Sequence, residues 1–418
     1  MKAYLISIGD ELLIGQTVNT NVSFIAEKLT EVQIPVVKTS VISDTADGIL
    51  AELDLAGKIA ELIIITGGLG PTHDDVTMKS ILRFFNSEPV MNEIVLGDIK
   101  SFFEKRGKEL TETNRLQALV PDVAKPIRNF KGTAPGNWIE KDGKVFVTMP
   151  GVPYEMKDMF VTTVLPWITE KVGIREHETF TKNLMTTGIA ESVLFDRLGN
   201  LDELLGASTM AFLPNQYGVK LRITTRGTTQ EECHNKMTEI EQKIRMVAGR
   251  YIYGINDDKL EHIIGKLLIE RDLTLSIAES CTGGLISHRI TNVPGSSNFF
   301  ERSVVSYSNG AKVEFLRVNE DFLHNYGAVS FEVARQMAEG IRAVSMTDIG
   351  LSVTGIMGPG GGTVNKPVGL VYIGICDDKV CTAKEFRFGE ERILNKERTS
   401  QAALDMLRRH LLGIPYDE

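Results

Sequence analysis

Short apolar runs alternate with amphipathic stretches through the first 170 residues. Tyr4–Ile8, Val36–Val41 and Leu62–Thr66 have strand length and composition, while Val22, Ile25, Ala26 and Leu29 recur at helical spacing between them. This alternation predicts a mainly parallel sheet covered by helices on both faces, with ligand loops at the carboxy ends of its strands. Two such loops stand out, Gly9-Asp10-Glu11 and Thr66-Gly67-Gly68-Leu69-Gly70-Pro71.

The pattern changes near residue 172. A strand over Thr179–Thr187, a helix over Glu191–Leu198, strands over Met210–Leu213 and Val219–Thr225 and a charged helix over Gln230–Val247 predict a small α+β module. No obvious chemical constellation falls there, which suits a spacer or dimerisation role. From Asn256 a third pattern begins. A helix over Leu260–Arg271 precedes a strand over Thr274–Ala278, then Glu279-Ser280-Cys281-Thr282-Gly283-Gly284 and a helix from Leu285. Further strands are expected over Val304–Tyr307 and Ile349–Thr354, and as a hairpin pair over Val368–Ile375 and Val380–Phe388. A helix over Phe331–Val344 and a terminal helix complete the set. The expected division is 1–171, 172–253 and 254–418, in keeping with 418 residues being long for one core.

Composition narrows the function classes. Net charge of −9 argues against a general nucleic-acid surface, which needs a positive face. No apolar run approaches the roughly 18 residues that span a bilayer, and the chain opens directly on a strand pattern rather than a leader, so a cytoplasmic location is expected. The cysteines Cys233, Cys281, Cys376 and Cys381 form no CxxC pair and no zinc-ligand spacing. Free thiols are expected, with Cys376 and Cys381 placed to face each other across a hairpin.

Ser280 and its neighbours sit where a strand turns into a helix. Glycines there permit close approach to the backbone, and the unpaired N–H groups of a new helix can hold a phosphate or an oxyanion. Spacing alone favours the simpler reading, that Ser280 or Thr282 is a helix N-cap. A thiol nucleophile at Cys281 is the other chemical alternative. In the amino-terminal half, the glycine N–H groups of Gly67, Gly68 and Gly70 suit phosphate oxygens, and Asp74 and Asp75 follow them, a pairing that can hold a bridging divalent cation.

Four segments change the balance in the carboxy-terminal part. Ala278–Gly284, Val305–Lys312, Gly327-Ala328-Val329-Ser330 and Ser352–Pro359 resemble, in order, the CinA carboxy-terminal family, which includes nicotinamide mononucleotide deamidases. The resemblance covers roughly residues 260–410 and implies hydrolysis of the nucleotide's carboxamide to nicotinic acid mononucleotide and ammonia, with no cofactor. It places the nucleophile on Ser280, its lysine partner on Lys312 and an assisting tyrosine on Tyr307, with Thr354 near the glycine loop. Gly283, Gly284 and Gly355 border the implied substrate position, and backbone N–H groups near Gly283 or Gly355 are the candidate oxyanion donors. A substrate-holding arginine falls on Arg392, with Arg387 the alternative because the spacing there departs by about one residue. A serine attacking a carboxamide needs a base, and a lysine can act as one only when neutral, so its pKa must fall below the free value of about 10.4.

The amino-terminal segments Gly9–Leu13, Asn19-Thr20-Asn21, Thr66–Thr77 and Met149–Met156 resemble the CinA amino-terminal domain, similar in fold to molybdopterin-binding proteins. That resemblance implies metal-dependent hydrolysis of ADP-ribose to AMP and ribose 5-phosphate. Asp44 and Asp75 match its paired acidic positions and are the candidate metal ligands, with Asp10, Glu11 and Asp74 further candidates for metal or ribose. The metal's identity is open. The segment 172–253 resembles the family's small KH-like domain, but it lacks a GxxG loop, which argues against RNA as a partner. A homodimer acting on small nucleotide substrates is the family-based expectation. Two other readings stay open: a molybdopterin-binding, adenylyl-transferring protein, and a non-catalytic nucleotide-binding regulator.

Overall fold

The computed structural model describes residues 1–69, 76–173 and 178–416, and the chain divides into two compact units, Met1–Glu176 and His177–Glu418. It is an α/β protein. In the first unit the six-stranded sheet runs in the order Val36–Ile42, Ala3–Ile8, Leu62–Thr66, Lys144–Met149, Gly136–Lys141, Ala124–Ile127. The first four strands pair in parallel. Ala3–Ile8 and Leu62–Thr66 are buried at every position, as strands covered on both faces must be. Leu5, Ile64 and Val147 enter one core, whereas Tyr4, Ile6, Ile63 and Phe146 enter the other. The last two strands are antiparallel additions. Asp142 and Gly143, both at positive φ (51° and 72°), form the tight turn that joins Gly136–Lys141 to Lys144–Met149.

The second unit holds two sheets. The first is antiparallel, in the order Thr209–Asn215, Gly218–Gly227, Glu178–Thr186, Ile252–Ile255. Gln230–Ala248 and Glu191–Leu198 pack on it through Leu194, Met237, Ile240 and Ile244. The second has the order Phe300–Val305, Leu275–Glu279, Ile349–Gly355, Leu370–Cys376, Cys381–Arg387, parallel in its first three strands and antiparallel after them. Leu275 and Ile277 face a core shared with Leu260–Glu270, Leu285–Thr291 and Arg392–Leu412. Ala278 faces the opposite core, beneath Asn309–Leu316 and Phe331–Ser345. Cys376 and Cys381 are direct cross-strand partners and both are free thiols.

Within this unit the two sheets are joined by polar contacts as well as packing. Asp405 accepts from both Arg408 and Arg409, all three buried, while Arg408 also donates to the Arg250 carbonyl at 2.7 Å. Gln401 donates to the Thr187 hydroxyl at 3.1 Å. A buried ion cluster fully paired in this way is costly to break, since removing the acid would leave two guanidinium charges buried.

One glycine ties the fold to the chemistry. Gly340 lies on Phe331–Ser345 directly against Leu316, the last residue of Asn309–Leu316, and a Cβ there would come within 1.9 Å of the Leu316 carbonyl oxygen. That close approach seats the shorter helix, which carries Lys312, against Phe331–Ser345.

Candidate active site

Glu279 ends the buried strand Leu275–Glu279 and determines the turn that follows. Its carboxylate is fully buried. It accepts from the hydroxyls of Thr282 and Ser287 at 2.6 Å each and from the amides of Gly284, Ile286 and Ser287 at 2.8–3.2 Å. The free amides expected at the start of Leu285–Thr291 are therefore already occupied by a side chain of the same segment. An anion-holding role for that helix end is corrected by this finding, as is the N-cap reading. The cap residue is Gly284, at φ 96°, and Thr282 donates to Glu279 instead of accepting from the helix. Gly283, at φ 64°, donates its N–H to the Ser280 carbonyl, so neither glycine amide near Ser280 is open. The Cys281 and Thr282 amides make no main-chain hydrogen bond among the described residues.

The turn fixes Ser280, whose N–H donates to the Val353 carbonyl at 3.1 Å and whose side chain is 7% exposed as a residue. Lys312 reaches it from the helix Asn309–Leu316. Ser308 caps Asn309–Leu316 by accepting from the Ala311 amide, and the helix delivers Lys312, 1% exposed, to the back of the turn. Lys312 Nζ lies 3.0 Å from Ser280 Oγ, 2.7 Å from the Ser306 carbonyl and 3.4 Å from the Tyr307 carbonyl. No carboxylate pairs with it among the described residues, and burial holds its pKa below the ordinary lysine value of 10.5.

Three oxygen partners can be met by an ammonium, and a neutral amine fits the same set. Two carbonyls can only accept, and they take the two N–H bonds of an uncharged –NH₂. The third partner is a hydroxyl, which can instead donate its proton to the nitrogen lone pair. Cys281 is also buried, and desolvation raises its thiol to about 12, so it stays protonated. Sulfur nucleophilicity depends on the thiolate, so the geometry and the electrostatics both favour the serine.

The other expected residues divide into two groups. Arg392, the first residue of the terminal helix, donates to the Gly358 carbonyl at 2.8 Å and to the Tyr307 hydroxyl at 3.3 Å. Arg387 is engaged by Glu385 at 2.8 Å on the exposed end of Cys381–Arg387. The Tyr307 side chain is largely exposed and bonded to Arg392; only its carbonyl meets Lys312. Thr354 is buried and donates to the Ala328 carbonyl at 2.8 Å, bracing the 327–330 loop. Gly355 packs where a Cβ would lie 2.7 Å from Val371 and 2.8 Å from the Leu370 carbonyl. Two residues escaped sequence reasoning besides Glu279. Lys396 places Nζ 3.6 Å from where a Gly283 Cβ would be, one helical turn beyond Arg392. Buried Asn395 donates to the Met357 and Gly389 carbonyls at 3.0 and 2.8 Å, holding the glycine loop to the terminal helix.

In the first unit a cleft of about 500 Å³ opens at the carboxy ends of the parallel strands. Glu11, Asp44, Gly67 and Gly68 line it, together with Asn21 and Glu155. Gly67 and Gly68 have φ of 101° and 66°, and side chains there would strike the Ile8 carbonyl and Thr77. Thr77 donates to Asp44 at 3.2 Å. Asn21 donates to the Gly151 carbonyl while its own buried carbonyl oxygen has no partner. Asp10 is exposed on the adjoining short helix. Gly70, Asp74 and Asp75 lie outside the described residues. Among the described residues, no three His, Cys, Asp or Glu side chains gather as a metal site. Glu11 and Asp44 are nonetheless oxygen donors of the kind a hard divalent cation takes.

Family models match the chain in three stretches: "Probable molybdopterin binding domain" over residues 4–170, "Damage-inducible protein CinA KH domain" over 181–254 and "CinA C-terminal domain" over 257–411. The CinA-like protein of Kosmotoga olearia is 42% identical over 414 residues, covering 99% of this chain and 100% of its own. This chain belongs to the CinA family. A CinA-like protein of Chloroherpeton thalassium is 42% identical over 417 residues, covering 98% of this chain and 99% of its own. The solved structure of competence/damage inducible protein CihA from Agrobacterium tumefaciens is 37% identical, covering 37% of this chain and 97% of that one, with a TM-score of 0.35. The family's three-part composition accords with the α/β, KH-like and α/β parts. No helix among the described residues is long and apolar enough to cross a membrane.

Replacing Glu279 by Gln keeps its shape but turns an NH₂ group toward two or three of its five hydrogen-bond donors. Glu279→Gln should lower unfolding free energy by on the order of 3 kcal/mol in urea denaturation. A change under about 0.5 kcal/mol would show that the carboxylate does not hold the turn.

Proposed function

We propose that the carboxy-terminal part is an amidohydrolase that converts nicotinamide mononucleotide to nicotinic acid mononucleotide and ammonia. The observation that carries this reading is the 3.0 Å contact between Ser280 Oγ and a buried Lys312 Nζ that has no acid partner among the described residues. As Ser280 Oγ attacks the carboxamide carbon, its proton passes to the neutral Lys312 amine. The C–O bond forms and the carbonyl becomes an oxyanion, for which the Cys281 and Thr282 amides are the nearest donors in sequence. The C–N bond then breaks, and the Lys312 ammonium gives its proton to the departing nitrogen, which leaves as ammonia. Water attacks the resulting ester, Lys312 takes its proton, and that proton returns to Ser280 Oγ as the acid is released. Arg392 and Lys396 supply positive charge on one helix face for the substrate phosphate.

For the first unit the reading is metal-dependent hydrolysis of ADP-ribose to AMP and ribose 5-phosphate. The cleft at the strand ends, with its glycine backbone and carboxylates, supports it. Glu11 and Asp44 would hold a divalent cation, which supplies charge neutralisation and a more acidic water. Asn21, with an unpaired oxygen on the cleft wall, is placed to accept from a ribose hydroxyl.

Two outcomes are expected. Ser280→Ala and Lys312→Ala should each lower ammonia release from nicotinamide mononucleotide by about 10³-fold or more, with Cys281→Ala within roughly tenfold of wild type. In wild type the rate should rise with pH on the acid side, as Lys312 loses its proton. Activity surviving in Ser280→Ala and lost in Cys281→Ala would reverse the assignment. Separately, AMP should form from ADP-ribose with Mg²⁺ and stop with EDTA, and Asp44→Asn should slow it by at least tenfold. Adenylylation of molybdopterin without ADP-ribose cleavage would replace this second reading.

A further inference from the structure

A cavity of about 610 Å³ lies within the second unit, and neither Ser280 nor Lys312 lines it. Its walls come from both sheets of that unit. The turns 187–190 and 215–218 form one side, and residues 384–389 with one face of the terminal helix form the other. Phe386 and Phe388 make a flat apolar wall, their ring planes within 10° and their centroids 6.2 Å apart. Lys384 precedes them on the same strand face, its Nζ 5.8 Å from the Phe386 centroid.

The charge of the lining is unbalanced. Lys384, Arg387, Arg398 and Arg409 line the cavity against a single lining carboxylate, Asp405, with Arg387 held by Glu385 outside the lining. That carboxylate is already shared between Arg408 and Arg409. Arg398 is half-buried beside Gly389, 3.9 Å from where a Cβ would stand, and has no acid partner among the described residues. An excess of cations is notable in a chain of net charge −9. A purely apolar ligand would leave Arg398 desolvated and unpaired, at a cost. A lone inorganic anion would leave most of the cavity and its aromatic wall unused. The volume is in the range of small-molecule sites.

We propose that this cavity binds a nucleoside monophosphate, with its base along Phe386 and Phe388 and its phosphate toward Arg398. The pairing uses the two features the walls offer together: a flat ring surface and an arginine fork suited to phosphate oxygens. The site is separate from the chemistry at Ser280 and does not rest on it. It also gives the four-stranded part of the unit a role, since its turns close the cavity.

The test is hydrogen exchange of the full chain by mass spectrometry, with AMP as the probe. AMP should slow exchange in segments 384–389 and 215–218, away from Arg392 and Lys396, and Arg398→Gln should weaken the AMP dependence there roughly tenfold. Adenosine alone and inorganic phosphate alone should each protect less than AMP. Uptake by the first unit's cleft appears in other segments, 8–21 and 66–69, and is read apart. The wild-type comparison decides the matter even if the variant fails to fold. No slowing in 384–389 at millimolar AMP, equal protection by phosphate alone, or an unchanged response in a folded Arg398→Gln would each overturn the proposal.

Discussion

Lys312 is buried on the Ser280 side of the sheet with two carbonyls and one hydroxyl for company. An ammonium moved from water into such a place loses several kcal/mol of solvation, and three neutral oxygens repay only part of it. Without a carboxylate to offset that cost, the nitrogen gives up its proton more readily than a free lysine. The same burial that would be a liability in a structural lysine favours the lone pair that the proposed serine chemistry needs. The chemistry proposed for the site depends on this balance.

Holding the balance takes more of the fold than the two residues themselves. Glu279 spends its carboxylate on the turn, which keeps Ser280 fixed and leaves Glu279 itself unavailable to pair with Lys312. Had its oxygens been turned toward the amine, they would have favoured the ammonium and removed the base. Gly340 lets the Lys312 helix sit close to the helix behind it. Asn395 ties the 357–358 loop to the start of the terminal helix, where Arg392 spans from Gly358 to Tyr307. The reacting pair is thus enclosed from behind by buried structure and bordered in front by the more exposed Arg392 and Tyr307.

Much of this was legible from the amino-acid pattern, and the gaps have physical causes. Strands with long apolar runs, such as Leu62–Thr66, and periodic helices such as Glu191–Leu198 stand at the positions the pattern predicted. The antiparallel strands 124–127 and 136–141 did not announce themselves, although Asp142-Gly143 was a hairpin signal. The strand expected to reach Tyr307 ends at Val305, which puts Ser306 and Tyr307 in a connection where their carbonyls are free to meet Lys312. Motif resemblance located Ser280 and Lys312 but could not tell that Thr354 braces a loop or that Tyr307 faces Arg392. Glu279 was within the quoted string, yet its role depends on donors up to eight residues later folding back on it. Lys396 had a readable clue, standing four residues beyond Arg392 on a helix.

The most direct measurement of the central claim is the titration of Lys312 itself, by NMR of lysine-labelled protein with Lys312→Met to assign its signal. A depressed folded pKa means that the unfolded chain binds the extra proton between that value and 10.5, so Lys312 opposes folding at low pH and this penalty fades as pH rises through the window. The account predicts a Lys312 midpoint clearly below 10.5, with the neutral amine gaining population as pH rises toward it. A midpoint at or above 10.5 would mean a charged lysine beside Ser280, and the proposed base would not exist.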